Sequence, residues 1–169
     1  WLVILGTGAV SIAALQVATA AGARVAITSS SPAKLEWARE QGAEGAVDYR
    51  EDDWVEQLRA GFGAADVVLD SVGPSWPQSI ELLAPGGRLV ACGGTGGGIT
   101  ELDVRAVYLQ QKQILGTKMG SPADFEALLA LVAEAGIRPP IDSVRPLSEA
   151  AAAHARIEAG EHFGKLILD

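Results

Sequence analysis

An apolar run, Trp1 to Leu5, meets Gly6-Thr7-Gly8 and then an Ala-rich stretch. No other feature constrains the fold of this chain as tightly. The run reads as a short buried strand, the glycine pair as a tight turn, and the Ala and Leu that follow as a helix. A strand that turns directly into a helix leaves the first helical N–H groups and the positive dipole end open at the turn. Such a corner suits an anion, and a dinucleotide pyrophosphate is the anion that strand–turn–helix units hold. Gly6 allows the bend, and Gly8 lets backbone approach the pyrophosphate with no Cβ between. The third glycine of the usual fingerprint is replaced by Ser11, whose hydroxyl is expected to bond back to the helix backbone. A glycine turn alone also suits other α/β proteins. The strand before it, the helix after it and a second strand in step favour a dinucleotide.

The same rhythm continues along the chain. Strands are expected at 2–5, 24–28, 46–48, 66–70, 88–92 and 113–116. Helices are expected at 10–21, stopped by Gly22, and from Pro32 to Gln41 behind a Ser31 cap. Further helices fall at 53–60, closed by Gly61, at 77–83, and at 122–135 behind Ser121. Pro85-Gly86-Gly87 reads as a turn, and residues 93–110 carry no clear pattern. This alternation predicts an α/β fold, a doubly wound parallel sheet of about six strands with helices on both faces. After a boundary near Gly136 the pattern changes to strand, helix, strand at 141–144, 149–159 and 165–168. Two units follow: residues 1–136, the dinucleotide-binding part, and the tail 137–169.

Composition narrows the partners. The chain has 169 residues and a formal charge of −8, from 13 basic and 21 acidic side chains. That balance argues against nucleic acid or an anionic membrane surface, though a local positive pocket still accommodates a phosphate. Apolar runs are broken well short of the roughly 20 residues of a membrane span. The start carries no secretory pattern, so a cytoplasmic location is expected. It also opens without a lead-in, which predicts that something precedes it. The single cysteine, Cys92, rules out an internal disulfide and a cysteine-rich zinc site.

The end of the second strand reports on the adenosine ribose. An Asp or Glu there would bond the ribose hydroxyls of NAD. This chain has Thr28-Ser29-Ser30-Ser31, with Lys34 on the next helix. A 2′-phosphate would meet hydroxyls and an ammonium rather than a carboxylate, which favours NADPH over NADH. Ser31 serves equally as a helix cap, and Lys34 as a solvated helix residue.

These blocks together resemble the cofactor half of the medium-chain dehydrogenase/reductase family, also called the zinc-type alcohol dehydrogenase family. The branch most similar is that of the zinc-independent quinone oxidoreductase-like reductases. VILGTGAVS (3–11), KLEWAREQGAEGAVDYR (34–50), DVVLDSVG (66–73), LLAPGGRLVACG (82–93), ILGT (114–117) and HFGKLILD (162–169) carry the resemblance. It implies a Rossmann fold with Gly6, Gly8, Ala9 and Val10 along the pyrophosphate. Ser29, Lys34 and Tyr49 would hold the adenosine 2′-phosphate. Ser71, Val72 and Gly73 would pass the ribose and nicotinamide, with Cys92, Gly93 and Gly94 beside them. The tail would complete a catalytic domain that precedes this segment in the family. On its own the chain would then be inactive.

The resemblance further implies hydride transfer from NADPH to a quinone, enone or similar carbonyl compound. It also implies a homodimer joined through the edge strand near Ile114. Two rivals stand beside this reading: the same part of a zinc-dependent alcohol dehydrogenase, and a non-catalytic nucleotide-sensing or interaction domain. No residue offers itself as catalytic, and no metal ligand set is visible. His154 and His162 have no companion ligand, Cys92 reads as a small buried hydrophobe, and 51–53 read as a helix start. Asp70 suits a strand-end structural role as well as a place by the cofactor. Trp37, Trp54 and Trp76 suit packing, and Lys165 suits an anchor of the tail or a reach toward the cofactor.

Overall fold

A computed structural model describes residues 1–169. Six strands form where the apolar runs lie: β1 (Leu2–Ile4), β2 (Val25–Ser29), β3 (Gly45–Asp48), β4 (Ala65–Asp70), β5 (Leu83–Ala91) and β6 (Gln113–Gly116). They pair in parallel in the order β3-β2-β1-β4-β5-β6. The strand order winds outward in opposite senses from β1 and β4, so a crevice opens beyond the carboxyl ends of these two strands.

Alternation along each strand sends side chains to opposite faces. Val3, Leu5, Ala26 and Val68 join Val55 and Leu58 of α3 (Trp54–Phe62) and Ile80 and Leu82 of α4 (Trp76–Leu82). Ile4, Val25 and Ile27 join Leu15 of α1 (Ala9–Ala20) and Leu35 and Ala38 of α2 (Pro32–Glu40). Each fully buried Val, Ile or Leu here is worth about 1.5–3 kcal/mol of burial. The tryptophans serve this packing. Trp54 and Trp76 lie against the first cluster, Trp37 against the second, and Trp1 stacks on Phe62 at 4.8 Å.

Three differences from the expected elements have identifiable causes. β2 runs one residue further, to Ser29, because that residue still pairs with Asp48 of β3. α3 passes through Gly61 and stops at Phe62, where Gly63 takes φ +78°. The Pro85-Gly86-Gly87 turn lies inside β5. Leu83 pairs with Ala65 and Arg88 with Val67, so the surplus residues bulge out between two points of pairing. The unpatterned stretch holds α5 (Val104–Tyr108), capped by the Asp103 carboxylate on Arg105 N–H.

α4 passes straight into β5, with Leu83 N–H donating back to Ile80 O, and two distant cations also serve its last carbonyls. Lys112 Nζ donates to Ile80 O at 2.6 Å, and Arg59 Nη1 donates to Glu81 O. Burial, with the Arg59 charge nearby, pushes the Lys112 ammonium below its ordinary pKa.

The remaining elements are α6 (Pro122–Ala135), β7 (Ile141–Arg145), a 3-10 turn (Leu147–Glu149), α7 (Ala150–Glu158) and β8 (Lys165–Leu168). A capping box between Ser121 and Asp124 starts α6, and Gly136 at φ +63° ends it. β7 and β8 pair with each other in a separate two-stranded parallel sheet. Gly164 takes φ +89°, and a Cβ there would run into Pro140 O, so the entry to β8 requires glycine. Phe125 and Leu129 on α6, and Ile141 and Val144 on β7, are exposed. No helix is long and apolar enough to cross a membrane.

Candidate functional site

The bend after β1 is built by hydroxyl groups from β2. Parallel pairing of Ile4 with Ile27 brings Thr28 level with the turn. Gly6, at φ +81°, donates its N–H to Thr28 Oγ1 at 3.1 Å. Thr7 Oγ1 lies 2.7 Å from Ser29 Oγ, and Ser29 Oγ also accepts from Ser31 N–H at 3.2 Å. Ser11 is buried, and its hydroxyl donates to Leu5 O at 3.0 Å. This corrects the expected bond to the helix backbone. The carbonyl at the strand's end lies closer to the third-glycine position, so Ser11 ties helix to strand where glycine would merely let them approach.

α1 begins behind Gly8 with no side-chain cap and no acid in its first turn. Its opening amides and positive dipole end are therefore not answered by any side chain of this chain. A Cβ on Gly8 would meet nothing within 4 Å, so packing within the chain does not demand glycine there. Ala9 and Val10 form the rest of that first turn, with Val10 exposed.

Asp70 organises the opposite wall. It is fully buried at the end of β4. Oδ1 accepts from Val72 N–H at 2.7 Å and Gly73 N–H at 3.1 Å. Oδ2 accepts from the hydroxyls of Ser75 at 2.7 Å and Ser79 at 2.8 Å. One carboxylate thus folds the loop that carries Ser71, Val72 and Gly73. The loop after β5 is knitted to it: Thr95 N–H donates to Ser71 O and Gly96 N–H to Val72 O, at 3.0 and 2.9 Å. Gly73 at φ +97° has no room for a Cβ, which would overlap Gly97 O.

Between the walls lies a cleft of about 520 Å³, which Gly6, Thr28, Tyr49, Trp54 and Val72 help to line. A second, of about 340 Å³, is lined in part by Gly73, Gly93, Gly94 and Trp76. The structure therefore gathers Gly6, Tyr49 and Val72 on one cleft and Gly73 and Gly93 on the other. Ser71 opens the loop after β4 and Cys92 the loop after β5, both half-buried and on the lining of neither cleft. Burial, and then the Asp70 charge, raise the Cys92 thiol pKa, which suits the packing role. Ser29 has its hydroxyl buried against Thr7. Lys34 takes its backbone cap from Ser31 Oγ at 3.4 Å, and its ammonium donates to Gly160 O at 3.3 Å. The Asp48 carboxyl beside Tyr49 is held at about 2 by the Arg50 guanidinium and its backbone N–H.

Thr28 is one of the hydroxyls that the sequence places at the end of the second strand, but its bond to Gly6, like the supporting bonds of Thr7, Ser75 and Ser79, emerges only in the structure. A hydroxyl at the end of a strand parallel to the glycine turn faces that turn, and this is the one signal for it in the sequence. Ser75 and Ser79 offered no such signal. His154 is exposed, and His162 keeps a buried Nδ1 with no partner. No group of three or more His, Cys, Asp or Glu side chains is arranged to hold a metal ion.

Residues 9–134 match the family described as zinc-binding dehydrogenase. A zinc-type alcohol dehydrogenase-like protein of Schizosaccharomyces pombe is 33% identical over 99% of this chain and 51% of its own length. A quinone oxidoreductase of Pseudomonas aeruginosa is 32% identical over 95% of this chain and 53% of its own length. A solved structure described as an NAD-dependent alcohol dehydrogenase superposes with a TM-score of 0.86 at 32% identity, over 99% of this chain and 50% of that one. The chain thus spans about half the length of these relatives. The parallel sheet, the glycine bend and the match over most of the residues agree: the chain belongs to the zinc-binding dehydrogenase family, within the medium-chain dehydrogenases/reductases.

Proposed function

We propose that residues 1–136 are the dinucleotide-binding domain of an NADPH-dependent oxidoreductase and that residues 137–169 complete its catalytic domain. The observation that carries this is the uncapped start of α1 behind Gly8, beside a β2 end that offers hydroxyls and Lys34 but no acid. The residues fit such a group: open space lies beyond Gly8, and the cleft lined by Gly6 and Tyr49 adjoins it through the shared bend. The first-turn amides of α1 would hold the pyrophosphate. Ser29, Lys34 and Tyr49 would take the 2′-phosphate, and the loops at Ser71–Val72–Gly73 and Cys92–Gly93–Gly94 the ribose and nicotinamide. Bound NADPH supplies the hydride. The substrate class we assign is a quinone, enone or similar carbonyl compound, supported by the likeness to the quinone oxidoreductase. We assign none of these residues a proton-transfer role and propose that the rest of the catalytic domain supplies it.

A second reading, the same part of a zinc-dependent alcohol dehydrogenase, is favoured by the match to the zinc-binding dehydrogenase family and the likeness to the solved alcohol dehydrogenase. Calorimetric titration tests the cofactor assignment. We expect NADPH to bind about tenfold more tightly than NADH, and Lys34→Ala to remove most of that difference. Tighter NADH binding would reverse the assignment.

The assembly we propose is a homodimer through β6. All four of its residues are exposed, Ile114 and Leu115 among them, and it forms an open sheet edge. Sedimentation should give a mass twice that of the chain, and Leu115→Lys should shift it toward the single chain. A monomeric wild type would dismiss this interface.

A further inference from the structure

If the 2′-phosphate of NADPH sits at the start of α2, as proposed above, the tail already competes for its lysine. Lys34 Nζ donates to Gly160 O at 3.3 Å, across 126 residues of sequence. Gly160 lies two residues past the end of α7, at the negative end of that helix's dipole, where its own N–H and those of Ala159 and Glu161 cap the helix carbonyls and leave Gly160 O to Lys34. Glu158 and Glu161 flank it, both exposed. The same segment grips α2 a second time. Phe163 packs edge-on against Trp37, with ring centroids 4.5 Å apart at 75°. Lys34 and Trp37 are three residues apart and so share one face of α2. Phe163 is itself held, because its N–H donates to Asp142 at 2.9 Å, and Asp142 also accepts from Arg156 at 3.0 Å. Those two donors keep the Asp142 carboxyl below the usual carboxylate range.

We propose that residues 160–163 act as a latch that sets the discrimination between NADPH and NADH. Docked, the latch commits the Lys34 ammonium to a carbonyl. It also places a negative helix end beside the position where a phosphate dianion would arrive. A ribose hydroxyl meets no such conflict, so NADH binds equally well with the latch down or lifted. NADPH binds best with the latch lifted and therefore lifts it. The coupling is reciprocal: whatever loosens the latch tightens NADPH. Phe163 is a positioning residue in this scheme, since it touches α2 and not the cofactor.

The test is a calorimetric titration of the whole chain and of Phe163→Ala with both cofactors. The variant should bind NADPH about fivefold or more tightly than wild type and leave NADH unchanged. Weaker NADPH binding, or an equal change for both cofactors, would overturn the latch. Hydrogen exchange on the wild type gives the answer without a variant. Amides at 158–164 should exchange faster with saturating NADPH than with saturating NADH, and equal exchange overturns the proposal. NADPH that binds without moving the tail removes the latch and leaves the cofactor assignment standing. NADPH that does not bind at all removes both.

Discussion

Asp70→Ala is expected to destabilise the chain by about 3–5 kcal/mol in urea unfolding, the largest effect of any single substitution at the site. The carboxylate is fully buried and accepts from two backbone N–H groups and two hydroxyls. Alanine would strand all four donors, and the loop through Ser71–Val72–Gly73 would lose its anchor. Asp70→Asn separates shape from charge. Its amide oxygen keeps the bonds from Val72 and Gly73. Its NH₂ donates to Ser75 and Ser79, whose hydroxyls rotate to accept. Only the charge assistance is lost, so about 1 kcal/mol is expected. An asparagine variant as unstable as the alanine would show that the negative charge itself holds the loop. An alanine variant near wild-type stability would show that the loop stands without Asp70.

Ser29→Asp is expected to invert the cofactor preference, lowering NADPH affinity by roughly a hundredfold, about 2.7 kcal/mol. The fold should tolerate the change, because a carboxylate at this position accepts from the same Thr7 hydroxyl and Ser31 N–H that Ser29 Oγ serves now. The 2′-phosphate would then approach a like charge. The ribose hydroxyls of NADH would gain an acceptor and bind more tightly. Parallel titrations with the two cofactors check this. Equal weakening of both would mean that the substitution breaks the bend rather than repelling the phosphate.

Much of the architecture was legible in the chain because it is written in short-range terms. Unbroken apolar runs in β1 and β2 feed both faces of the sheet in turn, so their burial followed from the run itself. Ser31 before Pro32 and Ser121 before Pro122 mark helix starts through bonds spanning three residues. Gly6 and Gly8 declare a bend by lacking a side chain. Local patterns were silent or misleading where partners come from afar. Pro85-Gly86-Gly87 has turn chemistry, and only pairing with Ala65 on one side and Val67 on the other keeps it within a strand.

At the site the same division holds. The sequence by itself determined that strand, glycine bend and helix follow one another, and that hydroxyls and Lys34, with no acid among them, lie at the end of the second strand and the start of the next helix. Tertiary structure alone decided which hydroxyl holds the bend, since Thr28 reaches Gly6 across 22 residues through the register of β1 on β2. It alone set four donors around Asp70 and turned Lys34 toward Gly160. Backbone propensity and apolar period act over a few residues. Side-chain partners and shared charges depend on how distant segments are brought together, and no spacing in the chain encodes that.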